Sequence, residues 1–173
     1  MIKNNKKTRL SGFTLIEMLV VVLIIGILAA IAVPQYQIAV GKAKYAELKV
    51  VAKTIQEAAQ RYYLINNTYG GAYNKLDVDL GDVAIYQTLS QLDSSSNEIA
   101  CVLWPETVTL RIVCRKKIFG INTYHYIDTE TGRPLFCSVD TTDKNSRANR
   151  MCQQETGSTG SDCRTACTTP YVY

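Results

Sequence analysis

The pattern of apolar and polar positions divides the chain into stretches that need different surroundings. From Phe13 to Val33, FTLIEMLVVVLIIGILAAIAV, apolar side chains follow one another with no polar face, and Glu17 is the one charged member. As a helix, about twenty-one residues reach roughly 31 Å, which matches a hydrocarbon core about 30 Å thick. After Pro34 the unbroken run gives way to a stripe. Leu48, Val51, Ala52, Ile55, Ala58, Ala59 and Tyr62 recur at steps of three and four, with Lys42, Lys49, Lys53, Gln56 and Gln60 opposite. That period predicts a helix with one face on a globular body of the same chain. It fades at Asn66-Asn67 and stops at Gly70-Gly71. One long helix is therefore expected from about Phe13 to about Ile65.

Farther on the pattern changes to alternation. Residues 66–100 give few signals, although Asp82 is placed to cap a short helix over VAIYQTLSQL before the Ser94-Ser95-Ser96 break. Trp104 to Thr107 reads as a turn. Thr107–Arg115 then sets Val108, Leu110, Ile112 and Cys114 against Thr109, Arg111 and Arg115, the pattern of a half-buried strand. Ile118–Ile127 gives a second strand, Asp128 to Gly132 a turn, and Pro134–Val139 a third strand. The expected fold is α+β: a long N-terminal helix, protruding in its first half and packed in its second, with a small antiparallel meander and stapled C-terminal loops. The tail from Thr141 is rich in Thr, Ser, Asn and Gly and has little to bury.

Charge narrows the choice of partner. Lys and Arg number 19 against 15 Asp and Glu, but Lys3, Lys6, Lys7 and Arg9 all lie in MIKNNKKTRLSG, which holds no acid. The remaining residues are balanced, so direct nucleic-acid binding is not expected. A basic segment ahead of an apolar span instead keeps that end in the cytoplasm. All six cysteines fall in the C-terminal half, on the other side of the span. That compartment favours disulfides. Six cysteines allow fifteen pairings, of which sequential neighbours are expected: Cys101–Cys114, Cys137–Cys152 and Cys163–Cys167.

The residues GFTLIEMLVVVLIIGILAAIAVPQY resemble the type IV prepilin signature, which pseudopilins of type II secretion share. That signature has a basic leader ending in Gly, an aromatic first mature residue, Glu at the fifth mature position and Pro at the twenty-second. Gly12, Phe13, Glu17 and Pro34 meet every spacing. The resemblance implies cleavage between Gly12 and Phe13 by a prepilin peptidase and N-methylation of Phe13. It divides the chain into a removed leader (1–12), a long helix (13–65, with 13–33 as membrane span and filament core) and a head (66–173). It also implies partners: copies of the chain itself, minor pilins, an inner-membrane assembly platform and a cytoplasmic ATPase. The setting would be the inner membrane, with the head in the periplasm, and then a surface pilus serving adhesion, motility or DNA uptake.

Physical chemistry supplies reasons for this pattern. Cleavage leaves an ammonium at the apolar boundary, four positions from Glu17. The two charges, each costly in lipid, can neutralise one another across neighbouring subunits; a carboxylate snorkelling to the headgroups is the alternative. Gly26 and Ala30 form a small-xxx-small pair that lets helices approach. Pro34 gives no N–H to Ala30 and crowds its carbonyl, which favours a kink.

Other candidates are weaker. Asp77, Asp79 and Asp82 do not have the spacing of an EF-hand loop and read as solvated carboxylates. His125 lacks a companion nucleophile or base and reads as structural or surface. Asn66-Asn67-Thr68 matches a glycosylation sequon. The chain carries no phosphate loop, HExxH or GxSxG, so neither enzyme activity nor a cofactor or metal is expected. A single-pass binding domain that never polymerises is the rival from another class.

Overall fold

The computed structural model describes residues 12–129, 136–141, 143, 145–157 and 171–172. In chain order these hold α1 (Leu15–Asn66), a 3-10 turn (Ala72–Asn74), β1 (Ala84–Tyr86), α2 (Leu89–Ser94), β2 (Ile99–Pro105), β3 (Leu110–Ile118), β4 (Ile121–Asp128), β5 (Phe136–Val139), α3 (Arg147–Thr156) and β6 (Tyr171–Val172). The fold is α+β. Two compact units meet between Gln37 and Ile38.

The first unit contains the start of α1. Every residue from Gly12 to Tyr36 is exposed, with Leu15 at 92%. The helix continues through Gly26 and has Pro34 inside it. By length and composition it is apolar enough to cross a membrane.

The second unit begins with the striped part of α1. Tyr45, Leu48, Ala52, Ile55, Ala58 and Ala59 are buried, while Val51 and Tyr62 are half-buried at the margin. This face packs on the sheet through Ile99, Cys101 and Leu103 of β2, and Leu110, Ile112, Cys114 and Ile118 of β3. The opposite face of the sheet carries a smaller cluster, in which Leu92 of α2 meets Ala100, Val102 and Val113.

The six strands stand in sequence order, β1 to β6. Strands β2 to β6 pair antiparallel, but β1 runs parallel to β2, with Ile85 opposite Cys101. The sheet is therefore mixed, where a purely antiparallel meander was expected. The helix expected over VAIYQTLSQL with Asp82 as its cap is not formed. Val83, Ile85 and Tyr86 favour an extended chain, and the helix starts only at Leu89, capped by Thr88, whose hydroxyl accepts from the Gln91 N–H.

Strand β3 also starts later than its alternation suggests. Val108 lies in the turn at 65% exposure, and Pro105 belongs to β2. Arg115 is buried rather than solvated, because the sheet is covered on both faces. Ile118 closes β3 rather than opening β4. The polar tail supplies α3. Ser146 accepts from the Asn149 N–H at its start, and Gly157 (φ 71°) ends it. Ala148, Met151 and Cys152 are its buried face. Residues 130–135 of the expected turn and third strand lie outside the described residues.

One joint is unusually tight. Ile118 pairs with Ile121, so Phe119 and Gly120 form a two-residue hairpin turn, with φ of 58° and 78°. Both sit in the left-handed region that such turns require, a conformation uncommon for phenylalanine. The Phe119 ring fills the place where a Cβ on Gly41 would stand, with Met151 Sδ close by. The Arg147 guanidinium lies 5.6 Å from the centre of the same ring. Gly41→Val is expected to lower the unfolding free energy by about 1–3 kcal/mol, measured by chemical denaturation. Combining it with Phe119→Ala should restore part of the loss, since the two side chains compete for one space.

Candidate assembly site

The N-terminal boundary of α1 holds the charged group that an apolar helix can least accommodate. Glu17 reaches back to the residue that opens the helix: its Oε2 accepts from the Thr14 N–H at 2.8 Å and from the Thr14 hydroxyl at 2.6 Å. The Thr14 Oγ1 in turn accepts from the Glu17 N–H at 3.3 Å. This is a capping box, in which two orphan donors at the helix start are satisfied reciprocally. The carboxylate also lies near the positive end of the helix dipole. Thr14 is a partner that periodicity does not reveal; the Thr-x-x-Glu spacing ahead of the apolar run is the signal that finds it.

Around this box the surface is open. Phe13 is exposed, and no described atom outside the helix's own backbone lies within 4 Å of a Cβ placed on Gly26. Among the described residues, no group of three or more His, Cys, Asp or Glu is arranged to hold a metal. Asp77 forms a two-pronged ion pair with Arg61, at 2.8 and 2.7 Å, which holds its carboxyl below the usual range. Asp79 accepts from the Gly81 N–H in its own turn. Asn66 is exposed at the end of α1 and donates to the Tyr62 carbonyl.

The second unit, here called the head, buries several polar groups. Lys116 is 2% exposed, with its ammonium 2.6 Å from Glu47 and 3.0 Å from Glu98. Burial opposes the charge, but those two hydrogen bonds hold its pKa above the ordinary lysine value. Arg115 donates to Asn122 and to the Ser95 carbonyl at the end of α2. A guanidinium there suits the negative end of a helix. His125 is 3% exposed and its Nδ1 lies 2.8 Å from the Tyr45 hydroxyl. It is thus a core residue.

Among the described residues, two disulfides are formed. Cys101 and Cys114 are register partners on β2 and β3, with Cα atoms 4.0 Å apart. Cys137 on β5 bonds Cys152 on α3 across 5.7 Å. Cys163 and Cys167 lie outside the described residues.

The pattern described as a prokaryotic N-terminal methylation motif matches residues 8–33, a stretch that contains Gly12, Phe13, Thr14, Glu17 and Gly26. That stretch is similar to the N-terminal segment of fimbrial and type IV pilin proteins and of a type II secretion protein. A fimbrial protein of Neisseria meningitidis is 40% identical over 73 residues, which is 39% of this chain and 43% of the relative. A type IV major pilin protein of Neisseria gonorrhoeae is 42% identical over 66 residues, 35% of this chain and 40% of the relative. A type II secretion system core protein G of Pseudomonas aeruginosa is 45% identical over 67 residues, 39% of this chain and 47% of the relative. The chain spans less than half the length of each of these relatives. No solved structure matches it.

Both disulfides lie in the main core, where Cys101, Cys114, Cys137 and Cys152 are fully buried. The Cys137–Cys152 bond ties α3, whose outer face is polar, to the sheet across a sequence separation of 15. Closing a loop of that size removes roughly 3 kcal/mol of unfolded-state entropy. Replacing both cysteines with alanine is expected to lower stability by about that amount. Chemical denaturation measures the loss, and exchange of the α3 amides should rise before that of β2 and β3.

Proposed function

We propose that the chain is a type IV prepilin, a structural subunit that is cut between Gly12 and Phe13, methylated on Phe13, stored in the inner membrane and polymerised into a surface filament. The observation that carries this reading is the Gly12-Phe13-x3-Glu17 spacing on a helix whose first half is apolar and exposed on all sides. Such a helix is stable in lipid, and it stays stable when lipid neighbours are exchanged for equivalent helices. The head, residues 66–173 with the packed half of α1, remains in the periplasm until assembly.

Glu17 is the group that sets the register in this scheme. In the single subunit Thr14 satisfies it. In the filament the new Phe13 ammonium of a neighbour takes over that role, and Gly26 with Ala30 lets the helices come close. A prepilin peptidase that also methylates, an assembly platform, a cytoplasmic ATPase and minor pilins are the partners this requires. The role is structural rather than enzymatic.

A second reading, a pseudopilin of type II secretion, draws support from the similarity to core protein G of Pseudomonas aeruginosa. A deletion strain separates the two. Loss of surface fibres with protein secretion intact supports the pilin; loss of secretion with fibres intact supports the pseudopilin.

Two measurements test the processing and the register. Protein recovered from the native host should begin at Phe13 and carry one added methyl group, by N-terminal sequencing and intact mass. A mature chain that starts at Met1 overturns the reading. Glu17→Val should leave the chain processed and in the membrane but without fibres in electron micrographs. Normal fibres from that variant would remove Glu17 from the mechanism.

A further inference from the structure

We propose that the Tyr45–His125 contact is an acid-sensitive latch, which holds the packed half of α1 on the sheet and releases it when the imidazole takes up a proton. The inference concerns the head alone and does not depend on the filament reading. His125 lies on β4 in register with Cys114 of β3 and Cys137 of β5, so a disulfide flanks it on each side. Above it stands Tyr45 of α1, itself fully buried, with its ring edge-on at 5.5 Å and 84°. Of the titratable and charged groups on this side of the sheet, helix α1 contributes Tyr45, Lys49 and Glu47, α3 contributes Glu155, β3 contributes Lys116, and Glu98 adjoins β2. Among the described residues, Tyr63, Tyr69 and Tyr73 also pack on this core face, Lys44 lies near Glu98 and Arg147 lies over Phe119, while Lys49 and Glu155 are the charges that act on His125. Lys49 pairs with Glu155 and lies 5.6 Å from the centre of the Tyr45 ring. Lys116 is held by Glu47 and Glu98. The flanking cysteines are disulfide-bonded and do not titrate.

In the tautomer that carries its proton on Nε2, a neutral imidazole accepts a hydrogen bond from the Tyr45 hydroxyl through Nδ1. Protonation fills that lone pair, forces the hydroxyl to turn, and places a second cation near Lys49 where water is excluded. Burial first, and the Lys49 charge second, push the His125 pKa down from 6.5 to about 4, with Glu155 opposing. A depressed histidine pKa means that the fold prefers the neutral ring. Its contribution is complete above about pH 6.5 and is lost as pH falls from there towards 4. The loss is on the order of a hundredfold in the folded-to-unfolded ratio by pH 4. The two disulfides survive this change, so acid loosens the helix from a sheet that stays stapled.

The chain has a single histidine, so its ring resonances in the full-length protein in detergent micelles report this site alone. They are expected to titrate near pH 4 in the folded chain; titration near 6.5 overturns the proposal. Hydrogen exchange at the amides of residues 45–59 should accelerate between pH 6.5 and 4, after correction for intrinsic rates, before exchange in β3. In His125→Gln, which keeps a polar side chain but cannot charge, that acid response should shrink by at least tenfold. An equal response in wild type and variant also overturns the proposal. Should the glutamine variant not fold, Tyr45→Phe provides the second arm. It removes the hydroxyl that stabilises the neutral ring, and the His125 titration should move upward; an unmoved titration counts against the latch.

Discussion

The packed half of α1 meets the sheet through a face built from Gly41, Tyr45, Leu48, Ala52, Ile55 and Ala59, and the head depends on that contact. Its large members each contribute about 1.5–3 kcal/mol by leaving water, while the small ones let the helix backbone lie close to the strands. Gly41 is the extreme case, since the ring of Phe119 occupies the space of its missing side chain. The same helix passes from a segment with no polar side to one with a single apolar stripe, and the change of pattern falls close to Pro34 and to the boundary between the two compact units.

What the sequence revealed follows from how local the responsible interactions are. The stripe from Leu48 to Ala59 repeats at the helical period, so a window of a dozen residues displays it. The Gly12, Phe13, Glu17 and Pro34 spacing is likewise contiguous. Strand β1 was hidden because its pairing with β2 is made with residues some sixteen positions away, and nothing in Val83–Tyr86 names that partner. The limits of β3 were blurred by its charges. Arg115 and Lys116 look like solvent-facing positions, yet Asn122, Ser95, Glu47 and Glu98 supply their partners inside. Helix α3 was masked by the polar residues between Ala148, Met151 and Cys152, although Ser146 and Gly157 mark its ends in the sequence. The role of Thr14 appears only when its spacing to Glu17 is considered as a cap.

Charge in apolar surroundings is handled differently in the two units. Glu17 is satisfied by groups three positions away, within the first turn of its own helix. Lys116 draws its partners from Glu47 and Glu98, and Arg115 draws two of its own from Asn122 and Ser95, so these contacts require the head to be folded. The first arrangement can form and dissolve without disturbing the helix behind it. The second cannot, because Lys116 binds α1 to the start of β2 and Arg115 binds β3 to the end of α2.

The two disulfides also define how the head would respond to a pull along its chain. Cys101–Cys114 short-circuits the residues between those positions, and Cys137–Cys152 does the same for the segment that leads into α3. Tension entering through α1 therefore cannot draw out the β2–β3 hairpin or the β5–α3 connection as slack. Among the described residues, segments outside these loops, such as 67–100 and 115–129, can lengthen. The covalent cross-links thus divide the head into extensible stretches and fixed loops, and they place a ceiling on how far one subunit can be unravelled before a bond has to break.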